Sequence, residues 1–307
     1  MKVTILGAGA VGAYYGGLLA RAGREVTCFA RGANLAAMRE RGLEVRTPEG
    51  GFTVPMAATD RPEELPPADF AILAVKSYAL PDMGPILRRV AEQGATILPL
   101  QNGVETAELL TRAGVPDAAI LGGLTKISAV RVAPGVVERK TPFQVVVAGE
   151  FDGRRSERVE RIVAAFREAG VDARATDRIR EELWEKWVFI VTLAAACGLA
   201  RSSIGPLRAD PLGRRLLERA RDEAVAVTRA RGIPFSDEQV ASLQALVDNL
   251  GPATRPSFLT DLEAGGPTEL DVLSGAVSRF AAELGIQVPI HDTAAVALAG
   301  RDILNRS

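Results

Sequence analysis

Histidine is almost missing from this chain: one residue, His291, in 307. A Ser–His–Asp triad or a zinc site would have to be built around that side chain alone, which sets both mechanisms aside. It lies in Pro289-Ile290-His291-Asp292 and reads as a residue at the start of the last helix. Cysteine is scarce too. Cys28 and Cys197 sit far apart in apolar surroundings, which suits a reducing compartment and small core residues rather than metal ligation. Neither sign of charge is in excess, with Lys+Arg 37 against Asp+Glu 38 and a net charge of −1. No basic run or aromatic-interleaved basic patch is present, so neither a nucleic acid nor an anionic membrane is expected as a partner. The apolar stretch Trp187–Ala200 has fourteen residues, short of the roughly 20 a membrane span needs, and reads as a core helix. Lys2 followed by apolar residues to Ala20 has the outline of a signal peptide. Glycines at 7, 9, 12, 16 and 17 make it a poor hydrophobic helix; we read it as folded protein in a cytoplasmic setting.

Those glycines are the most informative feature present. Val3–Leu6 reads as a strand, Gly7-Ala8-Gly9-Ala10-Val11-Gly12 as a glycine-rich turn opening a helix to about Ala22, and Glu25–Ala30 as a second strand. That is the order of the dinucleotide fingerprint. Gly7 turns the chain off the strand, Gly9 lets backbone approach a pyrophosphate, and Gly12 lets the helix pack on the sheet. The helix N-terminus offers N–H groups to the phosphates. Where NAD-binding folds place an Asp or Glu for the ribose hydroxyls, this chain has Arg31. Arginine cannot accept a hydrogen bond but pairs with a 2′-phosphate, so NADP is the expected cofactor.

Further along, a short helix (Asn34–Arg41), a hairpin about Pro48-Glu49-Gly50-Gly51, a strand at Phe70–Val75, a helix at about Tyr78–Gln93 and a strand at Ala95–Leu100 follow. Alternating strands and helices imply a doubly wound parallel sheet of Rossmann type. From Ile120 to Gly149 the pattern is that of an antiparallel ribbon turning at Pro134-Gly135. A helix (Arg154–Ala169) and a strand (Val171–Ala175) complete an α/β domain expected over 1–176. Residues 177–307 read as an all-helical domain, with helices at Arg178–Leu199, Asp210–Arg231, Ser236–Leu250, Thr268–Leu284 and Asp292–Asn305.

Three polar residues stand where chemistry is plausible. Lys76 and Asn102 follow strands of the parallel sheet, on the side where such sheets bind ligands; Asn102-Gly103 is equally an ordinary turn. Lys186 shares a helix face with Ile190 and Ala194 at the edge of the apolar stretch. It reads either as a chemical group or as the partner of Glu182 one turn back.

Taken in order, Ile5-Leu6-Gly7-Ala8-Gly9-Ala10-Val11-Gly12, Arg31-Gly32, Val75-Lys76, Gln101-Asn102-Gly103, Leu183-Trp184-Glu185-Lys186, Ser257 and Thr268-Glu269-Leu270-Asp271 resemble the ketopantoate reductase family over essentially the whole chain. The resemblance implies NADPH-dependent reduction of a small 2-keto acid, with 2-dehydropantoate leading. It assigns the pyrophosphate to Gly7 through Gly12, the 2′-phosphate to Arg31 and the cofactor site to Lys76. Asn102 would touch cofactor and substrate, Lys186 would be the general acid, Ser257 would hold substrate, and Glu269 would contact substrate or cofactor. A lysine ammonium near the ketone both stabilises and protonates the forming alkoxide, which explains how a chain without a catalytic histidine manages. Three positions depart from the family pattern: Ile190, Ala194 and Ser274 stand where asparagines are common. Another 2-keto acid as substrate, or an NADP-binding sensor without turnover, therefore stays open, as does a homodimer.

Overall fold

Strands whose side chains are apolar on both faces need cover on both faces, and in this chain they have it. The computed structural model describes residues 1–299, and the chain divides into two compact units, Met1–Ile179 and Arg180–Ser307. The first begins β1 (Lys2–Leu6), α1 (Ala10–Arg21), β2 (Glu25–Phe29), α2 (Gly32–Arg41), β3 (Leu43–Thr47), β4 (Gly50–Val54) and β5 (Ala57–Thr59). It continues with β6 (Phe70–Leu73), α3 (Leu80–Glu92), β7 (Thr96–Pro99) and α4 (Thr106–Arg112). Strands β5-β2-β1-β6-β7 form one parallel sheet in that order. Ile5, Leu6, Phe70, Ile72, Leu73, Ile97 and Leu98 on its inner strands are fully buried. Each contributes about 1.5–3 kcal/mol of transfer free energy, so the central strands are the stable scaffold on which the loops are hung.

The remainder of this unit is β8 (Gly122–Lys126), β9 (Ala129–Ala133), β10 (Val136–Arg139), β11 (Val145–Gly149), α5 (Glu157–Glu168) and β12 (Asp172–Ala175). It corrects the single ribbon expected over residues 120–149. The hairpin β9–β10 does turn at Pro134-Gly135, but it joins the sheet β4-β3-β10-β9. Strand β8 instead pairs antiparallel with β11, which runs parallel to β12. The reason is burial. Residues Gly122 to Thr125 of β8 are buried, and the Leu121 N–H donates to the Ile97 carbonyl (3.0 Å), tying β8 to the edge of the parallel sheet. Most of β9 is exposed. Alternation along a strand reveals its period but not its partner.

The second unit is helical: α6 (Ile179–Ala200), α7 (Ile204–Ala209), α8 (Pro211–Ala230), α9 (Asp237–Asn249), α10 (Ser257–Glu263), α11 (Ser274–Leu284) and α12 (Pro289–Ala297). The 22-residue α6 is, among the described residues, a helix long and apolar enough to cross a membrane, yet 61% of its apolar window is buried inside the protein. Two helix readings need correcting. Thr268–Leu284 is not continuous: a 3-10 turn (Leu270–Val272) is followed by a break at Leu273 (φ −104°, ψ −107°) before α11 starts. Side chains claim carbonyls there, with Trp187 Nε1 donating to Val272 O (3.0 Å) and Arg279 to Asp271 O (3.1 Å). The last helix begins at Pro289 rather than Asp292, because proline suits a first turn and the Glu223 carboxylate accepts from the N–H groups of Ile290 and His291. Its expected end at Asn305 lies outside the described residues.

Candidate functional site

The register of the parallel sheet puts four loops on one edge. Leu6 is paired with Phe29 on one side and Leu73 on the other, and Leu73 with Pro99. The residues that follow, Gly7 to Gly9, Ala30-Arg31, Val75-Lys76 and Gln101-Asn102, therefore emerge together at the carboxyl ends of the strands. The chain runs outward from β1 to β2 and then returns to place β6 on the other side of β1. This is the switch point at which open α/β sheets bind ligands.

The glycine loop is built as its sequence requires. Gly7 has φ +102°, and a Cβ there would stand 2.6 Å from the Val75 amide nitrogen, so both conformation and space demand glycine. A Cβ on Gly12 would collide with the Gly7 carbonyl oxygen and press on Ile5 and Ala74. Gly9 differs: nothing lies within 4 Å of its Cβ position. Helix α1 starts immediately after it, with no side-chain cap and no acidic residue in its first turn. Its leading N–H groups are thus left for an anion. Gln101 donates to Val75 O (2.6 Å) and keeps a buried Oε1 without a hydrogen-bond partner. Open space over Gly9, an uncapped helix start and an orphaned acceptor beside the strand ends fit a dinucleotide, which brings phosphates and amide donors.

A cleft opens here, lined by Gly7, Ala8, Gly9, Arg31, Asn34 and Val75 among others. Arg31 is exposed, with its guanidinium 5.5 Å from the centre of the Phe29 ring. Asn34 is a site residue that the sequence reading missed. Buried in the first turn of α2, it donates to Ala8 O (2.8 Å) and accepts from the Gly135 N–H (2.8 Å). It thereby staples the glycine loop to the β9–β10 turn. A polar residue at the head of a short helix was the one signal available, and many asparagines share it. Lys76 is half-buried just before the turn Ser77–Ala79, between the cleft residues Val75 and Ala79. Asn102 is half-buried in a turn that Gly103 closes at φ +100°.

In the helical unit, Lys186 is half-buried on α6 beside Trp187, whose indole bonds to Val272. That bond seats the 268–273 turn, with the buried Glu269, against the Lys186 end of the helix. Trp184, Trp187 and Phe280 form an aromatic cluster that locks the seat, with ring centroids 5.1–6.0 Å apart. Ile190 is half-buried and Ala194 buried on the same helix. Ser257 is exposed at the start of α10. The neighbouring Phe258 packs close to Gly198, twelve residues or about 18 Å along α6 from Lys186, so Ser257 lies toward the other end of that helix from Lys186 and Glu269. Ser274 is buried and engaged with His291 Nδ1 (3.1 Å), while His291 Nε2 meets Ala220 O (2.9 Å). The single histidine stands in the first turn of the last helix, as its position suggested, and is also fully buried. Burial lowers its pKa to about 4. Both cysteines are buried as well, which pushes their thiols up to about 12 at Cys28 and about 11 at Cys197.

Comparison with known proteins agrees across the chain. Residues 3–153 match the family model described as ketopantoate reductase PanE/ApbA, and residues 178–302 match that of its C-terminal domain. The 2-dehydropantoate 2-reductase of Halobacterium salinarum is 35% identical, covering 98% of this chain and 100% of its own. A PanE/ApbA family ketopantoate reductase from Ralstonia eutropha superposes with a TM-score of 0.90 at 27% identity, over the full length of both chains. The 2-dehydropantoate 2-reductase of Geobacter metallireducens gives 0.89 at 31% identity, covering 97% of this chain and 99% of that one.

Proposed function

The chain belongs to the ketopantoate reductase family, and from that premise we propose that it reduces 2-dehydropantoate to pantoate with NADPH in the cytoplasm. A reduced nicotinamide bound at the strand ends supplies the hydride. The chain's own groups do the rest. The N–H groups of Ala10, Val11 and Gly12 receive the pyrophosphate, and Arg31 pairs with the 2′-phosphate. Lys76 lines the cofactor site, and Asn102 orients cofactor and substrate through an amide that both donates and accepts. Lys186 attracts the substrate carboxylate, stabilises the charge developing on the ketone oxygen and delivers the proton from Nζ, a contribution of about 10²–10⁴-fold. Glu269 holds the substrate hydroxyl beside Lys186, and Ser257, seated farther along α6, would reach only the far end of a substrate lying along that helix.

The observation that carries the reading of Arg31 is its position at the end of β2 on a cleft that also contains the glycine loop. Ile190 and Ala194 favour a second reading within the same chemistry, a 2-keto acid with a less polar side chain, since the face of α6 beyond Lys186 offers no amide. NADPH consumption across a panel of small 2-keto acids tests both. The highest kcat/KM is expected on 2-dehydropantoate. A hundredfold preference for an alkyl 2-keto acid assigns the second reading, and no turnover on any member refutes the reductase.

A further inference from the structure

The cleft beside the glycine loop holds a second arginine that the family resemblance does not assign. Arg131, in the middle of the edge strand β9, lines the same cleft as Arg31, Asn34 and Ala8. Three features explain how a residue a hundred positions away reaches this wall. The Asn34 amide ties the β9–β10 turn to the glycine loop through Gly135 and Ala8. A register shift between Val136 and Val137, opposite Arg131, breaks the regular ladder, and such bulges re-aim the facing side chains. On the other edge of its hairpin, β10 is held parallel to β3.

Charge decides what the pair is for. Neither Arg31 nor Arg131 forms an ion pair with any described residue, although many of the other described arginines do. The cleft wall also carries Asp82. Among the lining residues Arg31 and Asp82 cancel, which leaves Lys76, next to the lining, as the remaining cation near a phosphate monoester of about −1.5 to −2 charge at pH 7. With Arg131 the lining itself is positive. The pyrophosphate already has the uncapped start of α1, whereas Arg131 shares the cleft lining with Arg31 and Asn34, and Asn34 bonds the turn of its hairpin.

We propose that Arg131 is a second cation for the cofactor's 2′-phosphate, so that discrimination between NADPH and NADH is shared by two arginines from different sheets. This rests on the proposed NADP dependence. Calorimetric titration of the full chain with adenosine 2′-monophosphate and adenosine 5′-monophosphate separates the two ideas without any turnover. The wild type is expected to bind the 2′ isomer at least tenfold tighter. Arg131→Ala should lose tenfold or more for the 2′ isomer and under twofold for the 5′ isomer, with Arg131→Lys recovering part of the loss. Because Arg131 is exposed on an edge strand, its variants should unfold at the wild-type temperature, which makes the comparison clean. If Arg131→Ala leaves 2′-isomer binding intact while Arg31→Ala abolishes it, the second cation is refuted and the NADP reading stands. Equal losses for both isomers also refute it, by making Arg131 a general anion contact. Wild-type indifference between the isomers overturns the NADP reading itself.

Discussion

Replacing Asn34 with alanine tests whether the glycine loop and the β9–β10 turn are held as one piece. The side chain is 8% exposed and makes two bonds of 2.8 Å, to Ala8 O and from Gly135 N–H. Alanine leaves both backbone groups without their partner. Gly135 is buried against α2, where a Cβ on it would already press on Ala37 at 3.0 Å, so water does not easily replace the lost acceptor. That group should cost the full penalty of about 1–3 kcal/mol. Ala8 lines the cleft, so water can reach its carbonyl, and the loss there should be nearer the net value of about 0.5–1.5 kcal/mol. Together, Asn34→Ala should lower stability by about 2–4 kcal/mol in urea titrations with an unchanged m-value. The same variant should weaken binding of adenosine 2′-monophosphate several-fold, since both the loop and Arg131 lose their brace. A loss below about 0.5 kcal/mol at constant m would refute the staple.

Gly7→Ala forces a Cβ into a φ of +102° and to within 2.6 Å of the Val75 nitrogen. It should cost at least about 2 kcal/mol in urea titration, and a stability equal to wild type contradicts the packing described for the loop. Arg31→Ala should raise the KM for NADPH at least tenfold in steady-state assays and leave that for NADH nearly unchanged; equal effects on both remove Arg31 from cofactor selection. His291, lowered from 6.5 to about 4 by burial, is neutral in the fold and charged in the acid-unfolded chain. Its contribution is complete above pH 6.5 and is lost as pH falls toward 4. Wild type should therefore lose about 2 kcal/mol between pH 7 and pH 5, with a shallower slope in His291→Asn, and parallel slopes would sink the assignment.

Much of this architecture could be read from residue order. Gly7, Gly9 and Gly12 each meet a different local constraint, and the structure shows those constraints separately: positive φ, open space and helix-to-strand contact. Arg31 was legible because its place after β2 is fixed by counting from the glycines. Arg131 was not, because its reach to the cleft depends on a bulge and on a side chain a hundred residues earlier. The two partners of strands β8 and β9 were hidden for a related reason, since period-two alternation carries no information on pairing. The helices α4, α7 and α10, six or seven residues each, are too short to show a period. The break at Leu273 was invisible because the indole that claims the Val272 carbonyl belongs to Trp187, on a helix far earlier in the chain. Ser274 departs from the family pattern, and the structure adds that its hydroxyl is engaged with His291.

The proposed reduction turns on Lys186 as the group that delivers the proton. Its most direct test is the kcat of Lys186→Ala with 2-dehydropantoate and NADPH, measured alongside NADPH binding. A drop of about 10²–10⁴-fold in kcat, with cofactor affinity held within twofold, is the predicted result. Turnover within about threefold of wild type would contradict it.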